Sequence, residues 1–348
     1  MDRISAKQEA LPGCCGLEMG GYYLDHSREL RRELGSELPT EELRLLHQRQ
    51  PWKHALVFAG LVLALALGIT GAVMLESWLL WVPAAFVAGF AIFNFTVMLH
   101  EVVHHTVLRS PDSRAHRILE LLYAIPSGIS ASQFTRWHLD HHANLGSDVD
   151  DPKRHHLSPK INARWLKLLY FTPALFFIYF RAARRETATY EPELQKKIAG
   201  ERRITILFHL SILVSLWFFA GFDIALRAYI VPVFFVFPIA FALNRLGQHY
   251  DIDPADTAKW ATFVRSSRFW NVVYLCSNLH LEHHYFPSVP LYNLPRLQRL
   301  LLPFYEKRGM KPRTYGGLFW GYIVLNRAPH SNWEGEAPAP ATVQPSRT

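Results

Sequence analysis

The chain has 348 residues, 50% of them hydrophobic, with 18 histidines and a formal net charge of +8. That length suits one large domain or two ordinary ones, but the apolar residues gather in long blocks between basic, histidine-rich segments, which excludes an ordinary water-soluble globule. Three cysteines (Cys14, Cys15, Cys276) show neither metal-site spacing nor a disulfide framework.

Residues 1–50 are polar and charged, and no apolar core near the start predicts a cleavable signal peptide. Four apolar blocks follow at 54–73, 78–99, 204–222 and 224–246. Each approaches the roughly 20 residues that cross about 30 Å of hydrocarbon as a helix. The first two are joined only by 74–77 and the last two by little more than Asp223, so both form tight hairpins with their loops on one side. Of the 37 lysines and arginines, all but Arg227 fall on the other side, with Arg44, Arg49, Lys53, Arg109, Arg202, Arg203 and Arg245 near span ends. The positive-inside bias then places both termini in the cytosol. It also makes the basic charge a consequence of topology and not of nucleic-acid binding.

Between the hairpins, 165–180 is apolar but short, broken by Pro173 and flanked by arginines, which predicts an interfacial or half-buried helix. The end of the chain, 316–348, turns rich in Pro, Ala and Ser and is expected to be disordered from about 330.

The histidines cluster. His100-Glu-Val-Val-His104-His105 follows the second block, His138-Leu-Asp-His141-His142 comes next, and His280-Leu-Glu-His283-His284 follows the fourth. With about 100° per residue, positions i and i+4 lie about 40° apart and i+3 about 60° the other way. Each His-x-x-His-His can therefore present three rings on one helix face. His105 lies about 140° from His100 and is left out. One such histidine is ordinarily structural. Eight with helix-face spacing are not explained that way, because charged they repel and buried neutral each needs a partner. Metal coordination meets both problems, since imidazole binds as the neutral form. One zinc takes three or four ligands, so eight imidazoles suggest two metals, and imidazole suits iron, zinc or copper.

The three boxes around two hairpins resemble the integral-membrane fatty acid desaturase and hydroxylase superfamily. Most specific is the third, Asn278-Leu-His280-Leu-Glu-His283-His284-Tyr-Phe-Pro287-Ser-Val-Pro290 with Tyr292-Asn-Leu-Pro295. The second box, with Asp148–Pro152 after it, resembles the acyl-lipid branch, and the likeness covers roughly 50–315. It implies an all-α membrane protein, four transmembrane helices in two hairpins, with a cytosolic helical cap holding the metal site in a catalytic domain at 51–315. It adds a ligand after the fourth block, where His249 stands. The implied set is His100, His104, His138, His141, His142, His249, His280, His283 and His284, with no catalytic side chain beyond these ligands. The implied cofactors are two iron ions with O2 as co-substrate.

The same resemblance implies oxidation of an unactivated C–H bond in a lipid or fatty acyl substrate, most simply desaturation. Hydroxylation or ketolation of a lipid, carotenoid or sterol is the alternative for the same core. No rubredoxin, ferredoxin or cytochrome b5 pattern is fused to the chain, so a separate donor of one of these types is expected to bring electrons to the basic face. A zinc protease reading of His100-Glu101-x-x-His104 leaves the second and third boxes unexplained, and so does a heme or metal transporter. Glu101, Asp140 and Glu282 inside the boxes, and Asp148, Asp150 and Asp151 after the second, are either acceptors for ligand ring N–H groups or solvated acids. His155-His156 reads as a basic surface patch, and His26, His116 and His209 read as structural.

Overall fold

The computed structural model describes residues 21–328 apart from 109, 111–112, 148, 154–158 and 160. Cys14-Cys15, Arg109, Asp148, His155-His156 and the segment from 330 thus lie outside the described residues. Among the described residues the fold is helical, with a single isolated bridge between Val264 and Arg313 and no strand.

Among the described residues, four helices are long and apolar enough to span a bilayer: Pro51–Met74, Trp78–Val103, Pro192–Ala220 and Phe222–His249. The first, with 24 residues, is about 36 Å long at 1.5 Å per residue. Buried shares of the apolar windows are 56% and 50% for the second and fourth spans but only 17% and 6% for the first and third. The second and fourth therefore form the centre, and the other two face outward with apolar side chains such as Leu63, Leu67, Leu207 and Val214.

Small residues permit the close packing. A Cβ on Gly68 would lie 2.7 Å from the Ala88 backbone nitrogen, and Ala72, Ala85 and Ala88 are fully buried in the same hairpin. A Cβ on Gly89 would lie 2.5 Å from the Val236 side chain, so Gly89 lets the second and fourth spans meet. Arg227 donates to Asp223 at 3.0 Å and to the Leu75 carbonyl at 3.2 Å. That bond joins the two hairpin turns, so both lie at one end of the bundle, and the histidine boxes at the other.

Residues 165–180 form two short helices, Arg164–Leu169 and Ala174–Thr187, with Pro173 between them, and neither is a candidate span. The N-terminal helices Arg28–Glu37 and Thr40–Leu46 are polar overall. Even so, Leu30, Leu34, Leu38, Leu43 and Leu46 enter one core with Leu279, Leu281, Phe286, Leu297 and Phe304. The helical turn aligns these leucines within a charged segment, and the core they build lies directly under the third box.

Candidate metal centre

His100 and His104 end the second span, whose helix stops at Val103. His105 takes a left-handed φ of 54°, which turns its ring away, to 5.0 Å from that of His116. The second box rides on the helix Ala131–Ala143, started by a Ser130 side chain that accepts from the Gln133 N–H. The third occupies the short helix His280–Tyr285, and His249 is the last residue of the fourth span.

These four segments bring nine histidines together in two groups. One is His100, His104, His138, His142 and His283; the other is His141, His249, His280 and His284. Within each group the potential ligand atoms all lie within 4.8 Å of one another. His105 belongs to neither. The Nε2 atoms approach one another directly: His104 to His138 at 2.7 Å, His141 and His280 each to His249 at 3.0 Å, and His283 to His142 at 3.1 Å. In each triplet the i and i+4 rings stay together, while the i+3 ring (His141 or His283) belongs to the other group.

Hydrogen bonds on the far ring nitrogens set the tautomers. Asp151 Oδ1 can only accept, so His141 Nδ1 donates to it, at 2.7 Å. His249 Nδ1 likewise donates to the Trp260 carbonyl, at 3.2 Å. Both Nε2 atoms then present lone pairs to each other across 3.0 Å, an arrangement that a cation relieves. Burial pushes His104, His138, His141, His142, His280, His283 and His284 well below the ordinary histidine value. The rings are therefore neutral, the form that binds a metal. The residues fit a two-metal site.

Lys153 approaches His138 Nδ1 at 2.8 Å. Burial, aided by the Arg245 charge, pushes its amine down to about 7; in its neutral form the amine accepts a hydrogen bond from the Nδ1–H and leaves the Nε2 lone pair free for a ligand bond. No periodicity in the sequence singles this lysine out.

The acidic residues divide. Of the described acids in the boxes and after the second, Asp151 accepts from a ligand ring at hydrogen-bond distance. Asp140 pairs with Arg136, and Asp150 accepts from Ser147. Glu282 accepts from Gln298 and Tyr305, each at 2.7 Å. Glu101 accepts from the Thr106 hydroxyl at 2.8 Å and the Leu291 N–H at 2.9 Å. Its carboxylate thereby ties the first box to the turn after the third, and it is not free to act as a protease base. Elsewhere, His209 donates from Nε2 to the Ile125 carbonyl and accepts at Nδ1 from Tyr229. His26 lies against the Tyr22 ring, and His116 lies beside Glu120.

A cavity of about 100 Å³ opens beside the first group, lined by His100, His138, His280 and His283. Phe93, Val97, Phe134, Trp137, Phe241 and Leu291 form its apolar wall, and Thr96, Asn244, Gln248 and Ser277 contribute polar groups. None of these residues belongs to a motif or a periodic pattern in the sequence. The available signal was the presence of Thr96, Asn244 and Gln248 in or at the end of apolar blocks, where polar side chains are expensive and commonly functional.

The fatty acid desaturase family profile matches residues 76–316. The chain belongs to the fatty acid desaturase family. This desaturase-family chain is 27% identical to the human sphingolipid delta(4)-desaturase/C4-monooxygenase over 256 residues, 71% of its own length and 72% of the relative's. It is 22% identical to the dihydrorhizobitoxine desaturase of Bradyrhizobium elkanii over 316 residues, 84% of each. The sphingolipid delta(4)-desaturase of Drosophila melanogaster is 25% identical, covering 66% of this chain and 69% of the relative. Family and spans together make it an integral-membrane oxidoreductase of the desaturase type, acting on lipid.

Proposed function

We propose that the nine histidines hold two iron ions, five rings on one and four on the other, and that the enzyme uses O2 to insert a double bond into a lipid chain. The observation that carries this reading is the sorting of nine histidine rings from four segments into two groups. When bound, the irons supply activation of O2 for hydrogen abstraction from an unactivated C–H bond. Two C–H bonds on adjacent carbons are broken and a C=C bond forms; O2, the two substrate hydrogens, two donor electrons and two protons leave as two waters. Asp151 holds the His141 proton away from the ligand atom. Phe93, Val97, Phe134 and Trp137 line the cavity beside the rings, keep water from the reacting carbon and orient the chain.

Hydroxylation at the same site differs only in the fate of the carbon radical, and the human relative's name carries both activities. The site faces the cytosol in this reading, because the basic residues and the boxes share one end of the bundle. A separate ferredoxin, rubredoxin or cytochrome b5-type donor docks on that basic face. Turnover with a soluble donor that is unchanged across a wide salt range argues against such docking.

Metal analysis and product analysis test the reading together. About two irons per chain and a new double bond after expression in a lipid-producing host are expected, whereas one zinc overturns it. A new hydroxyl in place of the double bond selects the second activity. His283→Ala should abolish product and lower iron content while membrane insertion persists.

A further inference from the structure

The two histidine groups border different spaces. The mostly apolar cavity is lined by His100, His138 and His283 of the five-histidine group, and by His280 alone of the other. His141 and His249 of the four-histidine group line a second, very small internal space with Leu145, Asp151, Ile252 and Trp260. Ile252 is buried, and it also lines a surface groove of about 430 Å³. That groove lies between the loop after the fourth span, from Asp251 to Ala261, and the segment from Gly309 to Arg313.

Two short bonded paths lead from the groove wall to one ligand ring. Asp251 follows His249 by two residues in the chain. Ala261 follows Trp260, whose carbonyl accepts from His249 Nδ1 at 3.2 Å. Electron tunnelling weakens steeply with distance and is favoured along covalent and hydrogen-bonded paths, so a redox centre seated in the groove couples to the four-histidine group through His249. The charges of the groove indicate what sits there. Arg313 pairs with Asp251, and Lys259 pairs with Asp256 at 3.1 Å and Asp253 at 3.8 Å, which neutralises the acids of the wall. Lys311 is exposed in the groove and has no ion pair among the described residues. Neither has Arg265, exposed beside it, whose backbone N–H donates to the Arg313 carbonyl at 2.8 Å. The uncompensated charge is positive and complements an acidic surface.

We propose that this groove receives an acidic one-electron donor protein, whose electrons enter beside the four-histidine group while the lipid chain approaches the five-histidine group. The inference rests on the lipid-oxidation reading for the use of those electrons. Two donor molecules each give up one electron; these, with two protons and the two substrate hydrogens, reduce O2 to two waters. Docking itself is measurable without turnover.

The test uses the full-length protein in detergent with two probes, an acidic two-iron ferredoxin and an acidic soluble cytochrome b5 domain. Affinity is read by calorimetry on the protein as purified, and oxidation of the reduced donor is followed without O2 on the iron-loaded protein. At least one donor should bind, with affinity falling between about 50 and about 200 mM salt. Lys311→Glu should weaken binding about 10-fold and slow donor oxidation to match at low donor concentration, with iron content unchanged. Arg184→Glu, at an exposed cation on Ala174–Thr187 outside the groove, should bind the donor like the parent. Equal loss in both variants, no loss in either, or no binding of either donor to the parent overturns the inference. If Lys311 takes part instead in binding phosphatidylglycerol vesicles, with donor affinity unaltered in Lys311→Glu, the groove belongs to lipid head groups and the inference also falls. If Lys311→Glu fails to fold, Arg265→Glu is the second variant, with the same expectation. Docking that the charge reversal weakens, without any oxidised lipid, supports the groove and overturns the oxidation reading. Oxidised lipid together with a donor affinity that neither reversal alters does the opposite.

Discussion

Asp151 Oδ1 lies 2.7 Å from His141 Nδ1, and both residues are buried. The carboxylate fixes the tautomer in which His141 Nε2 faces His249, so it acts on the four-histidine group without entering it. Asp151→Asn can present an N–H where an acceptor is needed and let the ring turn. Metal affinity should drop about 10- to 100-fold, read by competition with a chelator. Native affinity in Asp151→Asn would show that the ring needs no such anchor.

His249 and His105 form a contrasting pair. One lies outside every box but inside the four-histidine group; the other lies inside a box but in neither group. His249→Ala should lose metal and activity together. His105→Ala should retain both, and elemental analysis of the two purified variants decides the assignment.

The helix that carries the second box is clasped from the third span. Glu201 accepts from Ser130 Oγ and Ser132 Oγ, each at 2.6 Å, from the Ser132 N–H at 2.9 Å, and from Arg117. Glu201→Ala leaves these donors without their acceptor and should cost about 1–3 kcal/mol of stability. A lowered Tm in detergent is expected, with partial recovery in Glu201→Gln; an unchanged Tm contradicts the clasp.

Gly89→Val tests the packing of the central spans. Its Cβ would meet Val236 at 2.5 Å and the Pro232 carbonyl at 2.8 Å, so the second and fourth helices must separate. Because His100 ends one and His249 the other, loss of metal should accompany the loss of stability. Gly60→Val is the control, since a Cβ there meets nothing within 4 Å, and it should behave like the parent.

Acid should unfold the metal-free protein. Burial lowers the pKa of His104, His138, His141, His142, His280, His283 and His284. The unfolded chain, with ordinary values of about 6.5, therefore binds more protons than the folded one as pH falls. Stability rises with pH on this account: it is full above about 6.5 and declines below. Thermal melts at about pH 8 and about pH 5.5 should give the lower Tm in acid, and an equal or higher acid Tm argues against burial of neutral rings.

Much of this was legible in the sequence. Apolar block length and hairpin spacing located all four spans, because crossing a bilayer requires a continuous apolar helix that satisfies its own backbone. The third was placed at 204–222, whereas the helix runs Pro192–Ala220. Glu193, Lys196, Lys197, Glu201, Arg202 and Arg203 lower the hydropathy there without interrupting the helix. Spacing of three and four residues also made His138, His141, His142, His280, His283 and His284 a metal-binding pattern, and resemblance added His249.

What the chain order could not contain was the sorting. A helix turn places i and i+4 side by side and i+3 on the far flank, so each triplet offers its rings to two neighbours. Which neighbour receives which ring depends on how four segments up to 184 residues apart in sequence, from His100 to His284, pack together. The same packing set Asp151, and not the acids inside the boxes, against a ligand ring, turned His105 away, and closed a small, mostly apolar cavity beside the first group. Local periodicity marked eight of the nine histidines, resemblance added His249, and apolar block length located the spans; only the tertiary structure decided how the rings are partitioned and the shape of the space beside them, because distances between segments are set by packing and not by sequence spacing.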